Sequence, residues 1–247
     1  MHAVQTYVLP ALFAMFVWWL TTVLIMYLDG LPQRTFKWSL LGATALLGLA
    51  IYGLYAGRND TTIAGAYWAF AWGVIAWGWQ EISFYMGYVT GPRRQACAPD
   101  CTGWRHFGHA VQTSLYHELA IIVTAAVVVA VTWGGGNQVG RWTFLIMWWM
   151  HQSAKLNVFL GVRNLNEEFL PEHLQFLRSF LTKKPMNPLF PISVSVSTII
   201  ATLLVWRAGD AAGAFDAAAY TFLAVLMVLA ILEHWLLVLP IPAAALW

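Results

Sequence analysis

Charge is what this 247-residue sequence has least of. Asp, Glu, Lys and Arg together make up 10% of it, against roughly 25% in an average soluble domain, which excludes an ordinary water-soluble globule. The net charge of +2 is too small to point to a nucleic-acid partner. Two cysteines exclude a disulfide-stapled secreted fold. No basic stretch precedes the first apolar segment, and no small-residue cleavage site follows Leu12–Met26. That segment is therefore expected to stay in place as a span. A Walker loop, a dinucleotide fingerprint, a Gly-x-Ser-x-Gly elbow and a His-Glu-x-x-His zincin motif are all missing, which argues against a hydrolytic serine or cysteine enzyme. There is no internal repeat of the kind that builds transporters from inverted halves.

What the chain does have is apolar runs. Hydrophobic residues make up 60% of it, and seven stretches are long enough to cross a bilayer: roughly 7–28, 38–56, 63–89, 114–133, 142–162, 189–206 and 216–239. The reading is an all-α, polytopic membrane bundle of about seven transmembrane helices, forming a single domain over 1–247, with the lipid bilayer as its first partner. Loop charge sets an orientation. Arg34, Lys37, Arg93, Arg94, Arg105, Arg163, Arg178, Lys183 and Lys184 fall in alternate loops, while the others carry only Arg58, Arg141 and Arg207. By the positive-inside rule the N-terminus lies outside and the C-terminus in the cytoplasm. Trp38, Trp104, Trp133, Trp142, Trp206 and Trp247 sit near span ends, as an interfacial belt would. Trp72, Trp77, Trp79, Trp148, Trp149 and Trp235 lie within spans, where packing and lipid contact are favoured over a pigment pocket.

Seven ionisable residues interrupt these runs: Glu81, His117, Glu118, His151, Lys155, Glu233 and His234. A charge at mid-bilayer costs about 2.5–3.5 kcal/mol on insertion scales, so each needs a partner or a purpose. The orientation puts them all in the cytoplasmic half, with His151 close to mid-depth. His151 and Lys155, four apart, share a helix face, whereas His117–Glu118 and Glu233–His234 are neighbours that diverge by about 100°. Three readings follow. Glu81, His117, Glu118, His151, Glu233 and His234 could ligate a transition metal such as iron, manganese or zinc, although the Glu-x-x-His spacing of di-iron bundles is absent. One histidine could be the axial ligand of a tetrapyrrole. Or Lys155 neutralises a glutamate and the histidines bond neighbouring helices, fixing register, which is the commonest role of polar residues in a bundle.

Two loops carry further signals. In 163–188, Asn166 can cap a helix with Glu167 and Glu168 in its first turn, placing Leu170, Leu174, Leu177 and Leu181 on one face. A cytoplasmic interfacial helix is expected near 166–182, either covering the span ends or docking a partner through Glu167, Glu168, His173, Arg178, Lys183 and Lys184. In 90–113, Cys97, Cys101, His106 and His109 invite a zinc reading. Their spacing is not a standard finger, and ordinary loop residues are the preferred reading. Cytoplasmic placement predicts that the cysteines are reduced thiols.

Several stretches also carry a family resemblance: WGWQEISFYMGYVTGPRR at Trp77–Arg94, GWRHF at Gly103–Phe107, YHELA at Tyr116–Ala120 and, most specific, SAKLNVFLGVRNLNEEFLPEHLQFLRSF at Ser153–Phe180 followed by KKPMNPLFPISV at Lys183–Val194. Together they resemble the photosynthetic complex assembly protein PuhE family of purple photosynthetic bacteria, closely over spans three to six and mainly in character elsewhere. The resemblance implies a multi-pass protein of the bacterial inner or intracytoplasmic photosynthetic membrane. It also implies a role in assembling the reaction centre and its light-harvesting complex, coupled to bacteriochlorophyll supply. Reaction-centre, light-harvesting or pigment-synthesis proteins would be its partners, and bacteriochlorophyll or a precursor a candidate ligand. It transfers no catalytic residues. It favours Lys155 and Asn157 over His151, because the Ser153-Ala154-Lys155-Leu156-Asn157 run lies within the matching stretch.

Overall fold

The computed structural model describes residues 3–98, 100–165, 167 and 170–241. Among them are seven long α-helices: α1 Leu9–Asp29, α2 Phe36–Ala56, α3 Ile63–Tyr85, α4 Gly103–Thr132, α5 Val139–Leu160, α6 Leu189–Gly209 and α7 Ala214–Val238. Each helix has the length a bilayer crossing needs, about 20 residues. Five of them, α1, α2, α4, α6 and α7, are also apolar enough to cross by composition. The other two, α3 and α5, are the helices that carry Gln80–Glu81 and His151–Lys155.

That difference follows from position. α3 packs against α1, α2, α4, α5 and α7, and α5 against α3, α4, α6 and α7. α3 is buried along its length, from Gly65 to Ser83, whereas α2 buries only Phe36, Ala43, Ala50 and Leu54. The outer helices turn Leu12, Phe16, Leu46, Leu49, Ile199 and Leu203 outward, as a lipid-facing surface requires. Two cores flank the α3–α5 pair. Phe70 stacks on Phe222 of α7 at 4.7 Å, and Trp77 meets Phe144 of α5 edge-on at 5.6 Å.

Between helices in a membrane the drive to associate comes from close packing, so small residues decide where backbones approach. Here Gly73 of α3 faces Gly140 of α5: a Cβ on Gly73 would lie 2.7 Å from the Gly140 carbonyl oxygen.

Hydrogen bonds between loops sort the bundle into two ends. At one, Asn137 Nδ2 donates to the carbonyls of Asp60 (2.9 Å) and Gly65 (3.0 Å), and Tyr7 Oη donates to Ala208 O at 3.2 Å. Here the Asp60 carboxylate accepts from Thr62 Oγ1 at 2.6 Å and Thr62 N at 3.0 Å, which holds its carboxyl below the usual carboxylate range. At the other end, His173 Nε2–H donates to Tyr85 O at 2.8 Å. Asn164 Nδ2 reaches the carbonyls of Leu236 (2.6 Å), Leu239 (2.7 Å) and Ile241 (3.1 Å), and the N–H groups of Arg163 and Asn164 both donate to Leu237 O. These bonds satisfy carbonyls that the end of α7 would otherwise leave open. The nine-residue basic set lies at this second end, with Lys37 in the first turn of α2 and Arg105 in that of α4. Trp38, Trp104, Trp133, Trp142 and Trp206 are all exposed at helix ends; Trp247 lies outside the described residues.

Three boundaries depart from the sequence reading. α4 begins at Gly103, eleven positions before the expected 114, because Arg105, His106, His109 and Gln112 masked a helix that simply extends beyond its apolar part. α3 stops at Tyr85 instead of running to 89, and Gly87 takes φ 77° there, a conformation only glycine adopts easily. The expected helix near 166–182 is instead a run of 3-10 turns over Glu172–Phe180. Pro171 explains the late start: its ring blocks the preceding turn and it has no N–H to give. Asn166, the expected cap, and Glu168 lie outside the described residues.

A buried amide closes the second end. Asn187 Nδ2 donates to Asn157 O (3.1 Å), Asn157 Oδ1 (3.1 Å) and Gly161 O (2.9 Å), while its Oδ1 accepts from Leu189 N and Phe190 N and caps α6. Asn187→Ala is expected to lower stability by about 2–3 kcal/mol, since the cap and several buried partners are lost together. Thermal unfolding in detergent micelles checks it; a shift within error of wild type would contradict the role.

Candidate intramembrane site

The α3–α5 contact brings Glu81 and His151 face to face, Glu81 Oε1 lying 3.4 Å from His151 Nδ1. One turn further along α5, Lys155 forms an ion pair with Glu118 of α4. Its Nζ also donates to Ser114 Oγ at 3.0 Å, and Gln152 Nε2 donates to the second oxygen of Glu118. The i, i+4 spacing of His151 and Lys155 thus spreads two partners along one helix face, the histidine taking the α3 carboxylate and the lysine the α4 carboxylate.

His117 sits between these pairs. Its side chain is 1% exposed, with its ring 5.7 Å from His151 and 4.7 Å from Phe84. Among the described residues neither ring nitrogen has a hydrogen-bond partner, and His151 Nε2 and Thr90 Oγ1 are likewise unpaired. The loop after α3 turns back into the bundle here: Thr90 O accepts the backbone N–H of His117 at 2.9 Å, and a Cβ on Gly91 would lie 2.0 Å from Gln112 O, so only glycine permits that approach. A ligand atom from each of His117, Glu118 and His151 lies within 4.8 Å of the others. Imidazole and carboxylate donors at this range suit iron, manganese or zinc, although Lys155 and Gln152 already engage Glu118. Buried imidazole nitrogens without partners are uncommon and call for an explanation.

The structure therefore brings together Glu81, His117, Glu118, His151 and Lys155. Three other candidates make hydrogen bonds of their own elsewhere. His234 is satisfied on its own: Nδ1–H donates to Ala230 O at 2.9 Å, and Nε2 accepts from Ser153 Oγ at 2.9 Å. Glu233 points to α1, where it accepts a hydrogen bond from Trp18. Asn157 belongs to the Asn187 network and also bonds Ser193 Oγ at 3.1 Å. The divergence of neighbouring residues around a helix explains why Glu233 and His234 go separate ways. Ser114 and Gln152 are participants that sequence reasoning missed; their positions, four before Glu118 and three before Lys155, were the available signal.

Residues 4–247 match the model of a family described as "Protein of unknown function (DUF3623)". The chain belongs to the DUF3623 family. A relative from Rhodobacter capsulatus, named "Uncharacterized 30.4 kDa protein in puhA 5'region", is 37% identical over 243 residues, which cover 97% of this chain and 89% of that protein. No solved structure matches.

Elsewhere in this DUF3623 chain the 161–188 loop is tied down more than a free docking segment would be. His173 bonds α3 and packs edge-on against Phe36 of α2 at 6.1 Å. Glu167 pairs with Arg178 at 3.8 Å, and Val162 forms a parallel bridge with Lys183. Leu174 and Phe180 are buried against the bundle. Lys183 and Lys184 remain exposed. In the preceding loop Cys97 and Cys101 are paired as a disulfide, not held as the separate thiols expected. The turn between them, closed by Cys101 N–H donating to Ala98 O at 2.9 Å, folds the chain so that the sulfurs meet.

Proposed function

We propose that this protein is an assembly factor for the photosynthetic reaction centre and its light-harvesting complex, linked to bacteriochlorophyll supply, in the bacterial inner or intracytoplasmic membrane. The observation that carries this reading is the near full-length relative whose name places its gene beside puhA; the stretches resembling the PuhE family point the same way. All seven helices cross the bilayer, with the N-terminus outside and the C-terminus in the cytoplasm. The alternation of loops between two ends supports this, as does the basic excess at one of them. α3 tolerates polar residues because other helices surround it, and α5 because it turns His151 and Lys155 toward Glu81 of α3 and Glu118 of α4 while Trp149 and Leu156 face outward. In this reading the Glu81–His151 and Glu118–Lys155 pairs hold the three central helices in register. The basic end, where Lys183 and Lys184 are exposed, is the face that meets reaction-centre, light-harvesting or pigment-synthesis proteins.

The test is affinity capture of the tagged chain from photosynthetic membranes, alongside a deletion strain. Co-purification of such proteins, with reduced reaction-centre absorbance in the deletion strain, is the expected result. Recovery of none of them, with complexes at normal levels, refutes the role.

A second reading rests on the unpaired nitrogens of buried His117. With His151 and Glu118 they would hold a transition metal, or one of them alone would be the axial ligand of a tetrapyrrole. Stoichiometric metal or a Soret band in the purified protein, lost in His117→Ala, supports it; a metal-free, colourless protein removes it.

A further inference from the structure

Cys97, Cys101, His106 and His109 converge. The loop after α3 is pinned where Cys97 N–H donates to Ser179 Oγ at 2.9 Å. α4 then starts at Gly103, and its first turns carry His106 and His109, three apart on one face. His109 Nδ1 lies 3.2 Å from Cys101 Sγ and 3.5 Å from Cys97 Sγ, and His106 Nδ1 lies 3.4 Å from Cys97 Sγ. Both sulfurs and a ring nitrogen of His106 fall within 4.8 Å of one another. Phe159 and Phe180 stack on the His106 ring at 5.4 and 5.3 Å and fix its orientation.

The three sulfur–nitrogen spacings are those of neighbouring corners around a tetrahedral ion, and the two sulfurs, bonded to each other here, must part on reduction to take their own corners. With Zn–S about 2.3 Å and Zn–N about 2.0–2.1 Å, sulfur and nitrogen corners stand about 3.5 Å apart. A disulfide on its own gives two imidazoles little reason to turn toward the same sulfurs, since such sulfur is a weak acceptor. We propose that in the reduced chain Cys97, Cys101, His106 and His109 form a zinc site. Each cysteine loses its thiol proton on binding, and the thiols of a reducing cytoplasm keep the pair open. That last point rests on the proposed sidedness; the site does not depend on the assembly role. Four protein ligands leave no position for substrate, so the ion is structural. It ties the start of α4 and the loop before it against Ser179–Phe180 at the basic end.

The full chain, purified in detergent with a phosphine reductant and no chelator, is expected to carry one zinc per chain. Exchanged into Co²⁺, it is expected to show the thiolate-to-cobalt charge-transfer band and the visible bands of a tetrahedral site. Cys101→Ser and His109→Gln should each abolish the stoichiometric zinc or weaken Co²⁺ binding by more than about 100-fold, beyond the cost of losing an outer-shell partner. His151→Ala should leave the spectrum unchanged. As a check that needs no variant, zinc should slow alkylation of both cysteines in native membranes, and a chelator should restore it. The proposal is overturned if the reduced wild type holds neither metal and zinc leaves alkylation rates unchanged. It is equally overturned if binding survives Cys97→Ser/Cys101→Ser and is lost in His151→Ala, which would place the ion within the bundle.

Discussion

Lys155→Met is expected to destabilise the bundle by about 3 kcal/mol, the lower end of the 3–5 kcal/mol seen when one partner of a buried ion pair is removed. The change leaves Glu118 with Gln152 as its remaining donor and strands Ser114 Oγ. The lower end applies because the Lys155 side chain is 35% exposed and that of Glu118 22%. Adding Glu118→Leu should recover most of the loss, since the second change removes the stranded charge instead of adding another. A double-mutant cycle by thermal unfolding in micelles measures the coupling. A coupling energy below about 0.5 kcal/mol, the limit within which distant sites simply add, would mean that the pair does not hold α4 to α5.

Gly73→Ala carries the second large effect, and its sign is the informative part. In an exposed helix interior, alanine gains up to about 1 kcal/mol over glycine. At Gly78 a Cβ meets nothing within 4 Å, so Gly78→Ala should raise stability. At Gly73 the same methyl would sit 2.7 Å from Gly140 O and 2.9 Å from Thr143 Cβ. A backbone oxygen cannot rotate aside, so α3 and α5 must separate. Overpacking of this kind costs about 1–3 kcal/mol, which outweighs the propensity gain. Opposite shifts in unfolding temperature for the two variants are expected; parallel shifts would refute the close approach.

Much of this architecture was legible in the sequence because it rests on local pattern. Apolar runs marked the seven helices, and His151–Lys155 spacing marked a shared face. What was not legible depends on how neighbouring helices are rotated. Nothing local to Glu233 or His234 says that one turns to Trp18 and the other to Ser153. Nothing around Asn187 announces that it gathers Asn157, Gly161 and the start of α6 into one network. The early start of α4 was hidden for a different reason: hydropathy marks where a helix meets lipid, not where its hydrogen bonds begin. Pro171 was visible and should have outweighed the leucine spacing around it.

The clasp between Asn164 and the end of α7 has a consequence for biogenesis. Asn164 leaves the ribosome long before its acceptors at Leu236–Ile241 exist, the partners being 72 to 77 residues apart. The socket is thus made early and filled last. Until α7 arrives, Phe70 lacks Phe222 as its stacking partner and Ser153 lacks the ring of His234. Closure of the seven-helix bundle waits on α7, and a chain stalled after α6 would show membrane proteases an open flank and a polar clasp with nothing to grip.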